Sequence, residues 1–153
     1  MNMDNTIWNQ SVTAVVIREG KVLLGRHTYG SGVGKLIVPG GYMEQGESPV
    51  DAVIREYHEE NGITINPTEI IAIRFNTRDW YVAFRADYVS GEAHSDNDEN
   101  NEVIWLDVDE ALIREDVPDL TKTLIRLAVD KREGFRQLPY ESSNNTPNSL
   151  WGI

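Results

Sequence analysis

No cysteine occurs in the chain, so neither a disulfide framework nor a thiolate metal site can be built from it. Histidine is almost as scarce: His27, His58 and His94 lack ligand spacing, which argues against zinc. Basic residues are outnumbered, 14 Lys and Arg against 25 Asp and Glu, and the formal charge of −11 argues against nucleic acid as a partner. A nucleotide stays open, because a bound cation inverts the local charge. No apolar run is long enough to span a bilayer, and residues 1–6 have neither the basic start nor the apolar core of a leader. The expectation is a cytoplasmic protein with no membrane partner. No internal repeat is visible, and 153 residues suit a single domain, 1–153, with a real core.

The densest chemistry lies between Gly41 and Ile63. Ser48 is a good N-cap, Pro49 suits the first helical position, and Asp51 sits well at the positive end of the dipole. Ala52, Val53, Ile54 and Tyr57 can form a buried stripe, and Asn61-Gly62 closes the helix. On the polar side Glu56, Glu59 and Glu60 stand at i, i+3 and i+4, where like charges repel. Arg55 can relieve part of this through Glu59, and a hard cation would relieve more. Magnesium fits best, since it uses a few carboxylates and completes its shell with water and substrate phosphates. The plain alternative is a solvated run of charge.

The spacing of the whole stretch favours the first reading. Gly41, Glu47, Arg55-Glu56, Glu59-Glu60, Gly62 and Ile63 match G-x5-E-x7-R-E-U-x-E-E-x-G-U, and the stretch closely resembles the signature of the Nudix hydrolases. Tyr57 departs from the pattern, standing where that family usually has an aliphatic residue, and packing under the helix is what it would affect. The resemblance implies an α/β (α+β) fold, the Nudix α/β/α sandwich, with a mixed sheet between the helix of the 41–63 box and a C-terminal helix. It implies Mg2+, with Mn2+ as the alternative, held by Glu56 and Glu60 with help from the Gly40 carbonyl. Glu59 would complete the metal shell or act as general base, while Arg55 and Glu47 hold loop and helix in place. Gly41 and Arg26 would lie on the substrate side, Arg26 as a phosphate contact, against the alternative of an ordinary surface arginine. A further glutamate, Glu102 or Glu99, would add a ligand or serve as base, Glu102 being preferred.

The rest of the chain reads as strands and a late helix. After a polar lead over 1–9, in which Trp8 could pack back, Ser11 to Ile17 forms a strand. Glu19-Gly20 turns it into a hairpin partner at Lys21 to Arg26. Tyr29 to Gly34 is a glycine-rich loop without the Gly-Lys-Ser/Thr ending of a P-loop, and Lys35 to Pro39 a short strand. Glu69 to Phe75 and Trp80 to Val89 pair antiparallel. In the second, Trp80, Val82, Phe84, Ala86 and Tyr88 share one face, as core or as a base-stacking surface. The acidic loop Glu92 to Asn101 lacks the glycine and final glutamate of an EF-hand. A strand from Glu102 to Asp107, a short helix from Val108 to Ile113, and a last helix from Pro118 to about Arg132 follow. Leu120, Leu124, Leu127 and Ala128 make the apolar face of that last helix. A polar tail from about residue 138 either stays loose or docks Leu150, Trp151 and Ile153 on the body or on a second subunit.

The expected reaction is hydrolysis of a diphosphate linkage in a nucleotide. The small size looks most like the branch that converts a (d)NTP, often an oxidised one, to the monophosphate and pyrophosphate. An ADP-ribose or sugar-nucleotide pyrophosphatase is the alternative, and a non-catalytic nucleotide sensor is a third, which predicts eroded glutamates. The resemblance also allows a homodimer.

Overall fold

The computed structural model describes residues 9–130, 132–144 and 147–153, so the expectation for Trp8 lies outside the described residues. The order is β1 (Asn9–Arg18), β2 (Lys21–His27), β3 (Leu36–Ile37), β4 (Gly40–Tyr42), α1 (Pro49–Asn61), β5 (Thr64–Phe75), β6 (Asp79–Ser90), β7 (Asn100–Asp107), α2 (Val108–Ala111), α3 (Asp119–Val129), β8 (Arg136–Leu138) and β9 (Leu150–Gly152).

β1 is the hinge of the architecture. Its Val12 to Val16 run is buried throughout, as expected of a strand covered on both faces. It pairs in parallel with β6 and antiparallel with β4, while β5 adds to the far side of β6. The expected hairpin with β2 forms, and its turn has positive φ at Glu19 (52°) and Gly20 (78°), the geometry that matches strand twist. It is paired only at Ile17↔Val22 and Arg18↔Lys21. Beyond that β2 turns to β7, which it follows from Lys21↔Asp107 to His27↔Asn100.

Side-chain alternation then builds two cores. Val12, Ala14 and Val16 of β1, Leu23 of β2 and Val82, Phe84 and Ala86 of β6 pack with Ala52, Val53 and Tyr57 of α1. Val15, Val22, Leu24 and Ala83 face the other way, onto Leu124, Ile125 and Ala128 of α3. Full burial of one such aliphatic or aromatic side chain stabilises by roughly 1.5–3 kcal/mol. This is the expected α/β/α sandwich around a mixed sheet. Arg85, on the α3 side of β6, donates to the carbonyls of Ala128 (3.0 Å), Leu127 (3.2 Å) and Asp130 (3.0 Å), closing the negative end of α3.

Several local expectations change. Residues 35–39 contribute only the two residues of β3. Pro39 cannot donate to a ladder, and the Leu36 amide goes to the Asp116 carbonyl. Gly40 and Gly41 are strand residues, paired with Thr13 and Val12, so the loop into α1 begins only after Tyr42. β5 starts earlier than expected, at Thr64, and passes Pro67 by way of register shifts. α3 ends at Val129, and Leu120, placed in its apolar face by the sequence, is 42% exposed. Thr121 and Ile125 are buried there with Leu124 and Ala128, which turns the buried stripe away from Leu120. In the tail, β8 and β9 pair, and Trp151 meets Phe84 edge-on at 5.6 Å while Ile153 stays exposed. Among the described residues no helix is long and apolar enough to cross a membrane.

Candidate functional site

The site is built where α1 lies against β4 and β1. Ser48 accepts a hydrogen bond from the Asp51 amide (3.2 Å), Pro49 begins the helix, and Gly62 ends it in the left-handed region (φ 76°). The buried stripe of the helix contains Ala52, Val53, Glu56, Tyr57, Glu60 and Asn61, so two glutamates occupy positions that pattern alone reserves for apolar residues. Ile54, expected in that stripe, is only half-buried. The Tyr57 ring is fully buried and its hydroxyl donates to the Ala14 carbonyl, which is how a tyrosine is tolerated at an aliphatic position.

The glycine pair makes room for this. A Cβ on Gly41 would lie 2.5 and 2.6 Å from the two oxygens of Glu56, and a Cβ on Gly40 would lie 2.9 Å from Cα of Thr13. A side chain at Gly41 would push α1 away or cover the carboxylate, and one at Gly40 would push β4 off β1.

Arg55 ties the loop to the helix. Its Nε and Nη2 donate to both oxygens of Glu47 (2.7 and 2.9 Å), Nη1 to Glu56 (3.0 Å) and Glu59 (3.1 Å), and Nη2 also to the Tyr42 carbonyl (3.1 Å). The bidentate bond holds the Glu47 carboxyl below its usual range. Glu47 also accepts from the Glu44 amide (3.0 Å), fixing the turn that leads into α1.

Behind Arg55, Glu56 and Glu60 meet a third carboxylate, Glu99, with one oxygen from each residue lying within 4.8 Å of the others. Burial raises the Glu56 carboxyl even against the pull of Arg55. Glu60 is pushed up to about 10 by burial, with Glu99 and Glu56 adding to the effect. Three carboxylates in so small a volume cannot all ionise without a compensating positive charge. The donor set suits a hard, oxygen-seeking cation, and the bare backbone at Gly41 leaves the Glu56 carboxylate uncovered.

The sequence-predicted residues are therefore divided. Glu47, Arg55, Glu56 and Glu60 converge with Gly40 and Gly41, whereas Glu59 sits on the outer side, more than half exposed, held by Arg55. Glu102, preferred over Glu99 on sequence, is not in the cluster. The β2–β7 register sets it opposite Arg26, with which it forms an ion pair at 3.1 Å. The register shifts between Arg26 and His27; below this bulge Asn100 turns inward and Glu99 reaches Glu60. Arg26, the phosphate candidate, is bound to Glu102, to Asp116 (3.1 Å) and to the Gly34 carbonyl (2.8 Å). Asp116 also takes two bonds from Arg114, both 2.8 Å, and the two guanidiniums hold its carboxyl well below the usual range.

Glu56 and Glu99 line one part of a cleft of about 620 Å³, with Glu60 buried beside them, and its apolar part includes Val38, Tyr81, Leu120 and Leu124. His27 and Tyr29, stacked at 5.7 Å, also line it. Burial lowers the His27 imidazole despite nearby Glu99 and Asp96, and raises the Tyr29 hydroxyl, an effect the carboxylates reinforce. Sequence reasoning did not bring these residues together because they come from β2 and the loop after it, the segment between β3 and β4, β6 and α3, and no local pattern links them.

A NUDIX domain model matches residues 8–127. Among curated proteins, the NAD-capped RNA hydrolase NudC of Vibrio parahaemolyticus is 33% identical over 105 residues, covering 65% of this chain and 38% of that protein. A MutT-like protein of Streptomyces ambofaciens is 37% identical over 102 residues, covering 65% of this chain and 64% of that one. The chain thus spans from under half to about two thirds of the length of these relatives. Among solved structures, a NUDIX hydrolase from Nitrosomonas europaea superposes with a TM-score of 0.70 at 24% identity, over 77% of this chain and 68% of that one. A MutT protein from Methanosarcina mazei gives 0.65 at 28% identity, over 82% and 94%.

Proposed function

The chain belongs to the Nudix hydrolase family, and from that premise we propose that it is a magnesium-dependent pyrophosphohydrolase acting on a nucleotide, a (d)NTP or oxidised (d)NTP giving the monophosphate and pyrophosphate. The observation that carries this reading is the set of Glu56, Glu60 and Glu99 gathered from a helix and a loop, with Glu56 and Glu99 opening onto a cleft that also offers an apolar surface. A nucleotide has both complements, an anionic chain that needs a cation and a flat ring that needs apolar cover.

Glu56, Glu60 and Glu99 would hold the ion, which supplies charge neutralisation on the phosphate oxygens and a more acidic bound water. The chain's own groups do the rest. The missing side chain at Gly41 keeps the Glu56 carboxylate free to hold the ion, and Arg55 with Glu47 fixes the angle between loop and helix. Glu59, one helical turn from Glu56 and steadied by Arg55 with one edge in solvent, is the candidate for orienting the attacking water or accepting its proton from the outer side of the cluster. Tyr81, Leu120 and Leu124 shelter the ring.

The test is a substrate panel with magnesium, with pyrophosphate and phosphate read separately: ordinary and 8-oxo (d)NTPs, ADP-ribose, NADH and sugar nucleotides. Pyrophosphate from a (d)NTP supports the reading. AMP from ADP-ribose or NADH would replace it with a dinucleotide-cleaving activity, toward which the NAD-capped RNA hydrolase relatives point. Tight binding without turnover would replace it with a sensor.

A further inference from the structure

The loop that carries Glu99 is fastened to the end of α1 by the next residue along the chain. We propose that Asn100 is a positioning residue, whose side chain sets Glu99 at the spacing from Glu56 and Glu60 that a divalent cation needs. This rests on the cation-dependent reading above.

The last turn of a helix leaves carbonyls without intrahelical partners. In α1 two of these are taken by the acidic loop: the Glu60 carbonyl accepts from Asn100 Nδ2 (3.2 Å) and the Asn61 carbonyl from the His94 amide (3.0 Å). Asn100 is also the knot of the loop itself. Its amide donates to Asp96 Oδ1 (3.1 Å), which accepts the Asp98 amide too (3.0 Å), and its carbonyl accepts from Ser95 Oγ (2.8 Å). From the β2 side, Thr28 donates its amide to the Glu99 carbonyl (3.2 Å) and its hydroxyl to the Asp98 carbonyl (2.6 Å). These bonds hold the backbone on both sides of Glu99 and leave its carboxylate to the cluster.

Charge alone would drive this loop away. Asp96, Asp98 and Glu99 approach the C-terminal, negative end of a helix that already carries Glu56 and Glu60. A neutral amide bond resists that repulsion whether or not a cation is bound. Nor is Asn100 suited to stability alone: it is 2% exposed, and its Oδ1 has no partner among the described residues. An alanine would remove one unpaired buried acceptor, Oδ1, but also the partner of the Glu60 carbonyl, so its effects on stability oppose each other. The amide is thus better explained by where it places its neighbour than by what it adds to the fold.

The experiment is a Mn2+ titration of the purified chain without nucleotide, followed by electron paramagnetic resonance, with thermal melts alongside. Asn100→Ala is expected to weaken Mn2+ binding about tenfold, the usual range for a group that orients a ligand, and to shift the melt by only a few degrees. Thr28→Val, an exposed substitution that spares the core, is expected to weaken it about twofold to threefold by the same route. On a Glu99→Gln background Asn100→Ala should change Mn2+ affinity less than about twofold, because its effect runs through Glu99. Wild-type affinity in both Asn100→Ala and Thr28→Val, with Glu99→Gln weakened, would overturn the proposal and leave the cation reading standing. Equal weakening by Asn100→Ala with and without Glu99 would also overturn it. Unchanged Mn2+ binding in Glu56→Gln, Glu60→Gln and Glu99→Gln together would remove the cation reading itself.

Discussion

Two groups of carboxylates flank the glycine-rich loop after β2, and they solve opposite problems. Asp116 and Glu102 are met by Arg26 and Arg114, every contact is 3.1 Å or shorter, and the Asp116 carboxyl is held in its charged form. Glu56, Glu60 and Glu99 share a tighter space with Arg55 at the edge, and burial pushes Glu56 and Glu60 toward their neutral forms. The first group is complete as folded and acts as a clasp, joining β2, β7 and the segment before α3. The second is complete only with a proton or a cation. Carboxylates matched by arginines need nothing further; carboxylates crowded beyond the reach of their arginine are the ones that could hold a cation.

The largest expected effect breaks the second group. Glu60→Gln should lower hydrolysis by at least about 10³-fold, the scale of several kcal/mol of lost electrostatic stabilisation, while circular dichroism stays unchanged. Full activity in this variant would remove Glu60 from the ion-binding set. Next, Arg55→Ala should reduce kcat about 10–100-fold, as loss of an orienting partner does, and lower the melting temperature, because buried Glu56 and the Glu47 turn lose their counter-charge. Arg26→Ala should do much less. It removes part of a clasp worth about 0.5–1 kcal/mol and change kcat less than about threefold; a loss of about 100-fold would instead show that Arg26 reaches substrate.

The two groups should also respond oppositely to pH. The Glu60 carboxyl titrates at about 10 in the folded chain against 4.5 when free, so the folded state keeps a proton that the unfolded state has lost. The stability this confers is present below the free value and is lost as pH rises toward the folded one. A cation replaces the missing proton, so the rise in melting temperature on adding magnesium should be larger near pH ~8.5 than near pH ~6. Asp116 is lowered from 3.8, so its contribution is full above that value and fades only in stronger acid. Melts with and without magnesium across this range would check both signs, and a magnesium effect independent of pH would contradict the assignment of Glu60.

Much of the fold was legible because it rests on local rules. The Ser48 cap, the Gly62 stop, the Glu19-Gly20 turn and the two-faced pattern of β6 depend on residues within a few positions of each other. The helix of the site was legible too, through the spacing of Glu47, Arg55, Glu56 and Glu60. Its buried side was not, since Glu56 and Glu60 interrupt the apolar stripe for reasons that lie on β4 and the distant loop.

The sequence by itself determined that α1 would form, that it would carry clustered carboxylates, and that Gly40 and Gly41 would precede it. Only the tertiary structure decided which other glutamate joins them. Glu99 and Glu102 are three residues apart and chemically identical, and what separates them is the β2–β7 register with its shift at Arg26, a pairing between segments some 75 residues apart. Strand register is fixed by packing and hydrogen bonding across the sheet, and a slip of one residue sends a side chain to another face. No local pattern in the chain carries that choice.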